Sequence, residues 1–228
     1  MSDLWDLGSP ALLGLLPAKT QIALRERANH IVYKDGQLIH ERGDLKPGLS
    51  IVHSGKVRFG NPGSDGSYVT TALFGEGHCF GEFTLFANLP RTHDAVAVGE
   101  TVINQIDAAS IDRLLISQPE LYRVMLVAVT RRLHAAVEFM DDMRRLPLKV
   151  RIAKLVHSIS KTSDKIGEIK LTQSDMAFSF GVSRVSIGQA LSSLQSEKLV
   201  KTGYGKIYIP DPERLALWVA SRSSLLPV

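Results

Sequence analysis

Arg184, Ser186 and Gln189 are hydrogen-bonding side chains set within six residues, in the run Gly181-Val182-Ser183-Arg184-Val185-Ser186-Ile187-Gly188-Gln189. A guanidinium can hold guanine O6 and N7 with two bonds, and a carboxamide can do the same for adenine N6 and N7. Val185 offers apolar contact alone, for instance to a thymine methyl. Side chains of this kind read base edges when the first turns of a helix carry them into a major groove. The flanking residues supply such a helix. Thr172 and Asp175 form a capping pair that starts one helix, and Ser183 caps the next, which runs to about Lys198. Gly181 stands between them, where the turn needs a residue tolerant of positive φ. Ala177 is small enough for two helices to cross closely. Ile187, Leu191 and Leu194 give the second helix a buried face. Together these offsets read as a DNA-binding helix-turn-helix, with a structural helical hairpin as the bland alternative. The following run Lys201-Thr202-Gly203-Tyr204-Gly205-Lys206 reads as a wing whose Lys201 and Lys206 touch phosphate, a contact that positions the module without reading sequence.

The charge distribution points the same way. The chain carries a net +4, but the excess is not spread evenly. Met1 to Leu146 holds 15 Lys/Arg and 17 Asp/Glu; Pro147 to Val228 holds 12 and 6. A basic excess confined to the last third is the electrostatic footprint of a part that meets a polyanion.

The elements that must position this module fall into three zones along 228 residues. The first runs to about Asp107. Turn signals recur there at Lys34-Asp35-Gly36, Arg42-Gly43-Asp44, Ser54-Gly55-Lys56, Asn61 to Gly66 and Gly75-Glu76-Gly77. The candidate strands between them are Ser50–His53, Lys56–Phe59, Tyr68–Leu73 and Ala95–Val98. Such punctuation predicts a small all-β barrel or sandwich, preceded by a helix over Pro17 to Ala28 with Pro17 in its first turn. The second zone, about Ala109 to Arg145, is helical, its long part starting near Pro119. Apolar residues recur as Leu121, Met125, Val129, Leu133, Ala136, Met140 and Met143, close to the a/d seam of a coiled coil. A helix of about 26 residues spans roughly 40 Å, which outreaches a small barrel. The seam therefore packs on a second copy of the helix in preference to the barrel. Pro147 ends the helix. The third zone opens with a helix over Leu148 to Ser160 and a segment Ile169–Leu171, and holds the winged module. The domains are read as 1–108, 109–146 and 147–228, and the fold class as α+β.

With these residues in hand, the chain resembles the catabolite-activator/fumarate-nitrate regulator family over nearly its whole length. Val182-Ser183-Arg184 followed by Ile187-Gly188 looks like that family's recognition helix. Val185 and Gln189 stand where the activator has a glutamate and a second arginine, which implies a different operator. Phe80-Gly81-Glu82-Phe83-Thr84-Leu85-Phe86 and Pro90-Arg91-Thr92 resemble the phosphate-binding cassette of cyclic-nucleotide domains. The resemblance implies a β-roll, a long dimerisation helix and a winged helix-turn-helix. It further implies that Gly81 and Phe83 open a short helix toward a phosphate. Arg91 would neutralise that phosphate, Thr92 would add a hydroxyl, and Glu82 would accept the ribose 2′-hydroxyl. Alternatively, Glu82 and Arg91 pair with each other and hold the roll shut. In the cyclic-AMP-responsive activator two adjacent hydroxyl residues bond the adenine amine. The matching positions here are Ala136 and Val137, which offer no hydrogen bond, at a cost of about 1–3 kcal/mol. Arg91-Thr92 is similar to the pair used by guanine-binding relatives, so cyclic GMP stands beside cyclic AMP as the implied ligand.

Other chemistries find little support. His78, Cys79 and His93 match no zinc spacing, and no metal is expected. A single cysteine excludes an internal disulfide. The sequence shows no nucleophile elbow, Walker loop or paired-histidine zinc motif, so no enzyme is expected. No apolar run approaches the roughly 20 residues of a membrane span, which places the protein in the cytoplasm without a membrane partner. The expected partners are double-stranded DNA bearing a near-palindromic operator, a second copy of the chain, and RNA polymerase. Three functions follow: a dimeric regulator switched by a ligand, the same regulator with a vestigial pocket, or a nucleotide-binding adaptor without DNA.

Overall fold

The computed structural model describes residues 11–62, 68–162 and 167–223. Two compact units divide the chain between Ala135 and Ala136.

The first unit opens with a 3-10 turn over Leu12–Leu15 and helix α1 over Ala18–Glu26. Pro17 is the residue before α1, one position earlier than expected. Strands β1 (Asn29–Tyr33), β2 (Leu38–His40), β3 (Gly48–Pro62), β4 (Tyr68–Phe74) and β5 (Cys79–Phe80) follow, then helix α2 (Glu82–Ala87) and strand β6 (Asp94–Asp107). All pairings are antiparallel, along the path β1-β6-β3-β4, with β2 on β6 and β5 on β3. The two long strands β3 and β6 run from Gly48 opposite Asp107 to Gly60 opposite Asp94.

One turn signal proves to be something else. Ser54-Gly55-Lys56 lies inside the continuous strand β3, where the register with β6 shifts. Gly55 has φ +81°, and a Cβ there would lie 2.5 Å from the Glu100 carbonyl oxygen. Buried Thr101 seals the irregularity: its hydroxyl donates to the Lys56 carbonyl and accepts from the Lys56 N–H. Locally, a bulge glycine and a turn glycine make the same demand on φ, so the two candidate strands Ser50–His53 and Lys56–Phe59 are one. The turn Asn61 to Gly66 lies partly outside the described residues.

Two apolar clusters fill this unit. One is aromatic: Phe59, Phe74 and Phe80 pack with Val52, Val57, Ala95 and Ile103. The other joins Leu12, Leu16, Leu24, Leu49, Ile51 and Ile106 of the roll to helix α3 (Ala108–Ser117) and the start of α4 (Glu120–Arg145). Asp107 caps α3, its carboxylate accepting from the Ser110 N–H at 2.8 Å.

The second unit begins in the last turns of α4. It continues through α5 (Leu148–Thr162), β7 (Glu168–Lys170), α6 (Gln173–Phe180), α7 (Arg184–Ser196), β8 (Lys201–Gly203), β9 (Lys206–Tyr208) and α8 (Pro212–Ser223). Strands β7, β9 and β8 form a small antiparallel sheet in that order. The division falls inside α4. Phe139 stacks on Phe180, and Asp142 pairs with Lys154 at 2.6 Å, so the end of α4 packs with the helices that follow it. Among the described residues no helix is long and apolar enough to cross a membrane.

Candidate functional site

The helix-turn-helix is built by its caps. The Asp175 N–H donates to the Thr172 hydroxyl at 3.0 Å, and the Asp175 carboxylate accepts from the Thr172 N–H at 3.0 Å. That reciprocal box starts α6. Gly181 follows with φ +62°, and the Val182 N–H closes the turn on the Ala177 carbonyl. Ser183 accepts from the Ser186 N–H at 3.1 Å and starts α7. Ile187, Leu191 and Leu194 are buried, while Ser183, Arg184, Val185 and Gln189 are exposed and Ser186 is half-buried. Val185 is 69% exposed, with no packing role to explain a β-branched apolar side chain there.

The far end of α7 is clamped. Glu197, its C-cap, takes a hydrogen bond from Trp218 Nε1 at 2.6 Å and an ion pair from Lys149. Its carbonyl accepts from Arg214 at 3.1 Å. The bond from Lys149, with Trp218 adding to it, holds the Glu197 carboxyl below its ordinary value. In the hairpin β8–β9, Lys201 is exposed and Tyr204 at the tip is fully so. On β9, the Lys206 ammonium pairs with Glu168 of β7 at 2.8 Å. That hydrogen bond raises Lys206 above its usual pKa.

The cassette sits at the end of β5. Gly81 has φ +108° and precedes α2; a Cβ there would meet the Gly48 carbonyl oxygen at 2.4 Å and Arg91 Nη1 at 2.7 Å. Only glycine lets the arginine lie this close. Arg91 is buried, its Nη2 donating to the Lys46 carbonyl at 3.4 Å, and its Nε is left without a partner. Burial pulls Arg91 below its ordinary pKa, with Glu82 and Asp44 opposing that.

Glu82 does not pair with Arg91. It forms a buried ion pair with Arg132 of α4, whose Nη2 also donates to the Cys79 carbonyl at 2.8 Å. The Arg132 guanidinium lies over the Phe74 ring, 5.0 Å from its centre. Burial disfavours the Arg132 charge, but Glu82 and Cys79 outweigh it and hold its pKa above the usual value. Glu82 Oε2 remains buried without a partner, as does Thr84 Oγ1. Phe83 is about half exposed, and Thr92 is exposed with its hydroxyl 2.8 Å from His93 Nδ1. Cys79 is buried and its thiol pushed up to about 12, chiefly by that burial.

Helix α4 corrects the expected seam. Leu121 and Met125 are buried in the core of their own chain, packed with Leu24, Ile111 and Leu114. The apolar residues left outside on the same turns are Tyr122 and Leu126. Leu126, Leu133 and Met140 are 67, 62 and 54% exposed and recur every seven residues. Val129, Ala136 and Met143 are half-buried, and Met143 Sδ accepts from Arg151. Val137 is exposed. Arg132 was not among the expected site residues. An arginine in a charged stretch of helix gives no sequence signal of burial.

Comparison with known proteins agrees with this division of labour. Residues 30–118 match the cyclic nucleotide-binding domain, and residues 150–218 the Crp-like helix-turn-helix domain. The chain is 28% identical over 205 residues to the cyclic AMP receptor protein of Thermus thermophilus, covering 90% of this chain and 94% of the relative. It is 25% identical over 200 residues to the CRP-like cAMP-activated global transcriptional regulator of Mycobacterium tuberculosis, covering 85% and 89%. The structure of the c-di-GMP responsive global regulator CLP of Xanthomonas campestris shares the fold, with a TM-score of 0.70 at 20% identity over 85% of this chain and 99% of that one.

Proposed function

Because this chain belongs to the catabolite-activator/fumarate-nitrate regulator (CRP/FNR) family of DNA-binding transcription regulators, we propose that it acts as a homodimer on a near-palindromic operator in double-stranded DNA, under the control of a cyclic nucleotide in its cassette. The observation that carries the DNA reading is the free first turn of α7. Arg184, Val185 and Gln189 project from a helix whose cap, buried face and far end are all engaged elsewhere. Arg184 reads a guanine, Gln189 an adenine, and Lys201 holds phosphate. RNA polymerase is the partner through which operator binding alters transcription.

The ligand is cyclic AMP or cyclic GMP. Arg91 offers charge to a phosphate and Glu82 Oε2 an acceptor to a ribose hydroxyl. Discrimination between the two bases is weak or favours guanine, because Ala136 and Val137 stand in the sequence where the cyclic-AMP-responsive activator that this chain resembles has two hydroxyl residues. The two relatives named for cyclic AMP support the ligand class. A second reading, regulation without ligand, draws on the ion pair that already occupies one oxygen of Glu82.

Selection of operator from a random DNA pool, with each cyclic nucleotide and without, tests both readings. Half-sites should lie about one helical turn apart, roughly 34 Å. Arg184→Ala should cost about 1–3 kcal/mol and relax selection at one G·C pair. An unchanged selected motif would mean that α7 is not the reading helix. Equal operator affinity with and without either nucleotide would favour the ligand-independent reading.

A further inference from the structure

We propose that His30, His53 and Asn104 form a site for a divalent transition-metal ion of the zinc class. The two imidazoles and the Asn104 carboxamide oxygen are its ligands. The site uses no residue of the cassette or of the winged module, and the inference rests on neither reading.

The sheet brings the three together. Strand β6 runs between β1 and β3. His30 on β1 lies opposite Asn104 on β6, and Asn104 lies opposite Ile51 on β3. Their side chains therefore form one row on one face of the sheet. His53 stands two residues beyond Ile51, where the register with β6 shifts between Val52 and Ser54. Strands two apart lie about 10 Å from each other. Yet the rings of His30 and His53 meet edge to face, with centres 5.8 Å apart. Both side chains thus lean inward and meet over β6, whose side chain in that row is Asn104.

Burial gives the three different parts. His30 and His53 are exposed, whereas Asn104 is 2% exposed. Asn104 Oδ1 is buried without a hydrogen-bond partner, a state that costs free energy unless something meets it. The row thus offers two imidazoles at the surface and one unpaired oxygen beneath them.

The donor set suits zinc, copper or nickel, which imidazole nitrogen favours. With Zn–N bonds of about 2.0–2.1 Å, two rings on one tetrahedral ion have centres about 5 Å apart. The pair reaches that separation with about 1 Å of side-chain movement. Among the described residues no three His, Cys, Asp or Glu side chains gather as a metal cluster, so the third donor is Asn104. An outward position is left for water. A bound ion ties β1, at the edge of the sheet, to β3 across β6. Two histidines so far apart in sequence match no ligand spacing; the strand order alone brings them together.

The test is titration of the untagged full chain with zinc chloride alone, by calorimetry and by competition against a chromophoric chelator. The wild type should bind zinc, and zinc should raise its melting temperature. His30→Ala and His53→Ala should each weaken zinc binding roughly tenfold or more and remove that rise. Both side chains are exposed, so without zinc these variants should melt as the wild type does. With copper(II) in place of zinc, electron paramagnetic resonance should show two imidazole nitrogens in the wild type and one in either variant. Asn104→Leu should weaken zinc binding. Asn104→Asp, which sets an anionic oxygen at the same place, should strengthen it. A wild type that binds no zinc at millimolar concentration would overturn the site. So would zinc binding that survives unchanged when both histidines are alanine. Unchanged zinc affinity in both Asn104 variants would overturn Asn104 as a ligand, and the three-donor site with it.

Discussion

With aspartate at both Leu126 and Leu133, the protein should sediment as a monomer and hold a two-half-site operator no better than a single half-site. The two leucines lie seven residues apart on α4, and both are more than 60% exposed in the single chain. Burying a leucine side chain contributes about 1.5–3 kcal/mol. A two-fold interface counts every residue twice, because the same patch serves both subunits. Four leucines lost and four carboxylates brought together exceed what a dimer held by one helix pair can absorb. Sedimentation velocity at micromolar concentration gives the mass, and a gel shift on whole and half operators gives the consequence. Leu121→Asp is the contrast. Leu121 is fully buried in its own chain, so that variant should lose folded roll and not simply dissociate. A wild type that is already monomeric at micromolar concentration, or a double variant that still sediments as a dimer, would remove α4 as the interface.

Arg132→Ala should destabilise the β-roll by about 3–5 kcal/mol, the usual cost of removing one partner of a buried ion pair. Glu82 would be left with both oxygens buried, without its ion pair, and with only the electrostatic pull of Arg91 to offset its charge. The Cys79 carbonyl would lose its donor, and the Phe74 ring its covering guanidinium. Denaturant titration of the wild type, Arg132→Ala, and Arg132→Ala combined with Glu82→Gln separates these losses. The second substitution removes the stranded charge, so the double variant should recover part of the stability. If Arg132→Ala alone costs under 1 kcal/mol, the pair is solvent-screened in solution and not the buried contact described.

The fold is most legible in the sequence where local chemistry decides structure. The pair Thr172 and Asp175, the glycine at 181 and the cap Ser183 each act on residues within three positions, and each was legible from type and spacing. It is least legible where the deciding neighbour is distant in sequence. Gly55 looks the same in a turn and in a bulge; only Thr101 and Glu100, brought opposite it by β6, make it a bulge. Leu121 and Tyr122 fit adjacent helical stripes equally well, and the apolar clusters of the roll decide which turns inward. Nothing in the spacing of the wing shows that β7 sets Glu168 beside Lys206. Arg132 pairs with a residue 50 positions away, beyond any spacing rule. The cassette motif was visible, but which of its polar atoms stay unpaired was not, since that depends on what the rest of the fold has already engaged.

The clamp on Glu197 bears on how tightly DNA can be held. A helix that enters a groove while still able to fray or swivel loses that freedom on binding, and the loss is subtracted from the affinity. Lys149 from α5 and Trp218 from α8 converge on the carboxylate that ends α7, and Arg214 takes its carbonyl. Lys149 and Arg222 both lie against the Trp218 ring. The far end of the reading helix is therefore ordered before any operator arrives. Association then draws on base and phosphate contacts with little entropy left to surrender. Loosening the clamp, as in Trp218→Ala, would act mainly on the lifetime of the complex and not on which sequence is chosen.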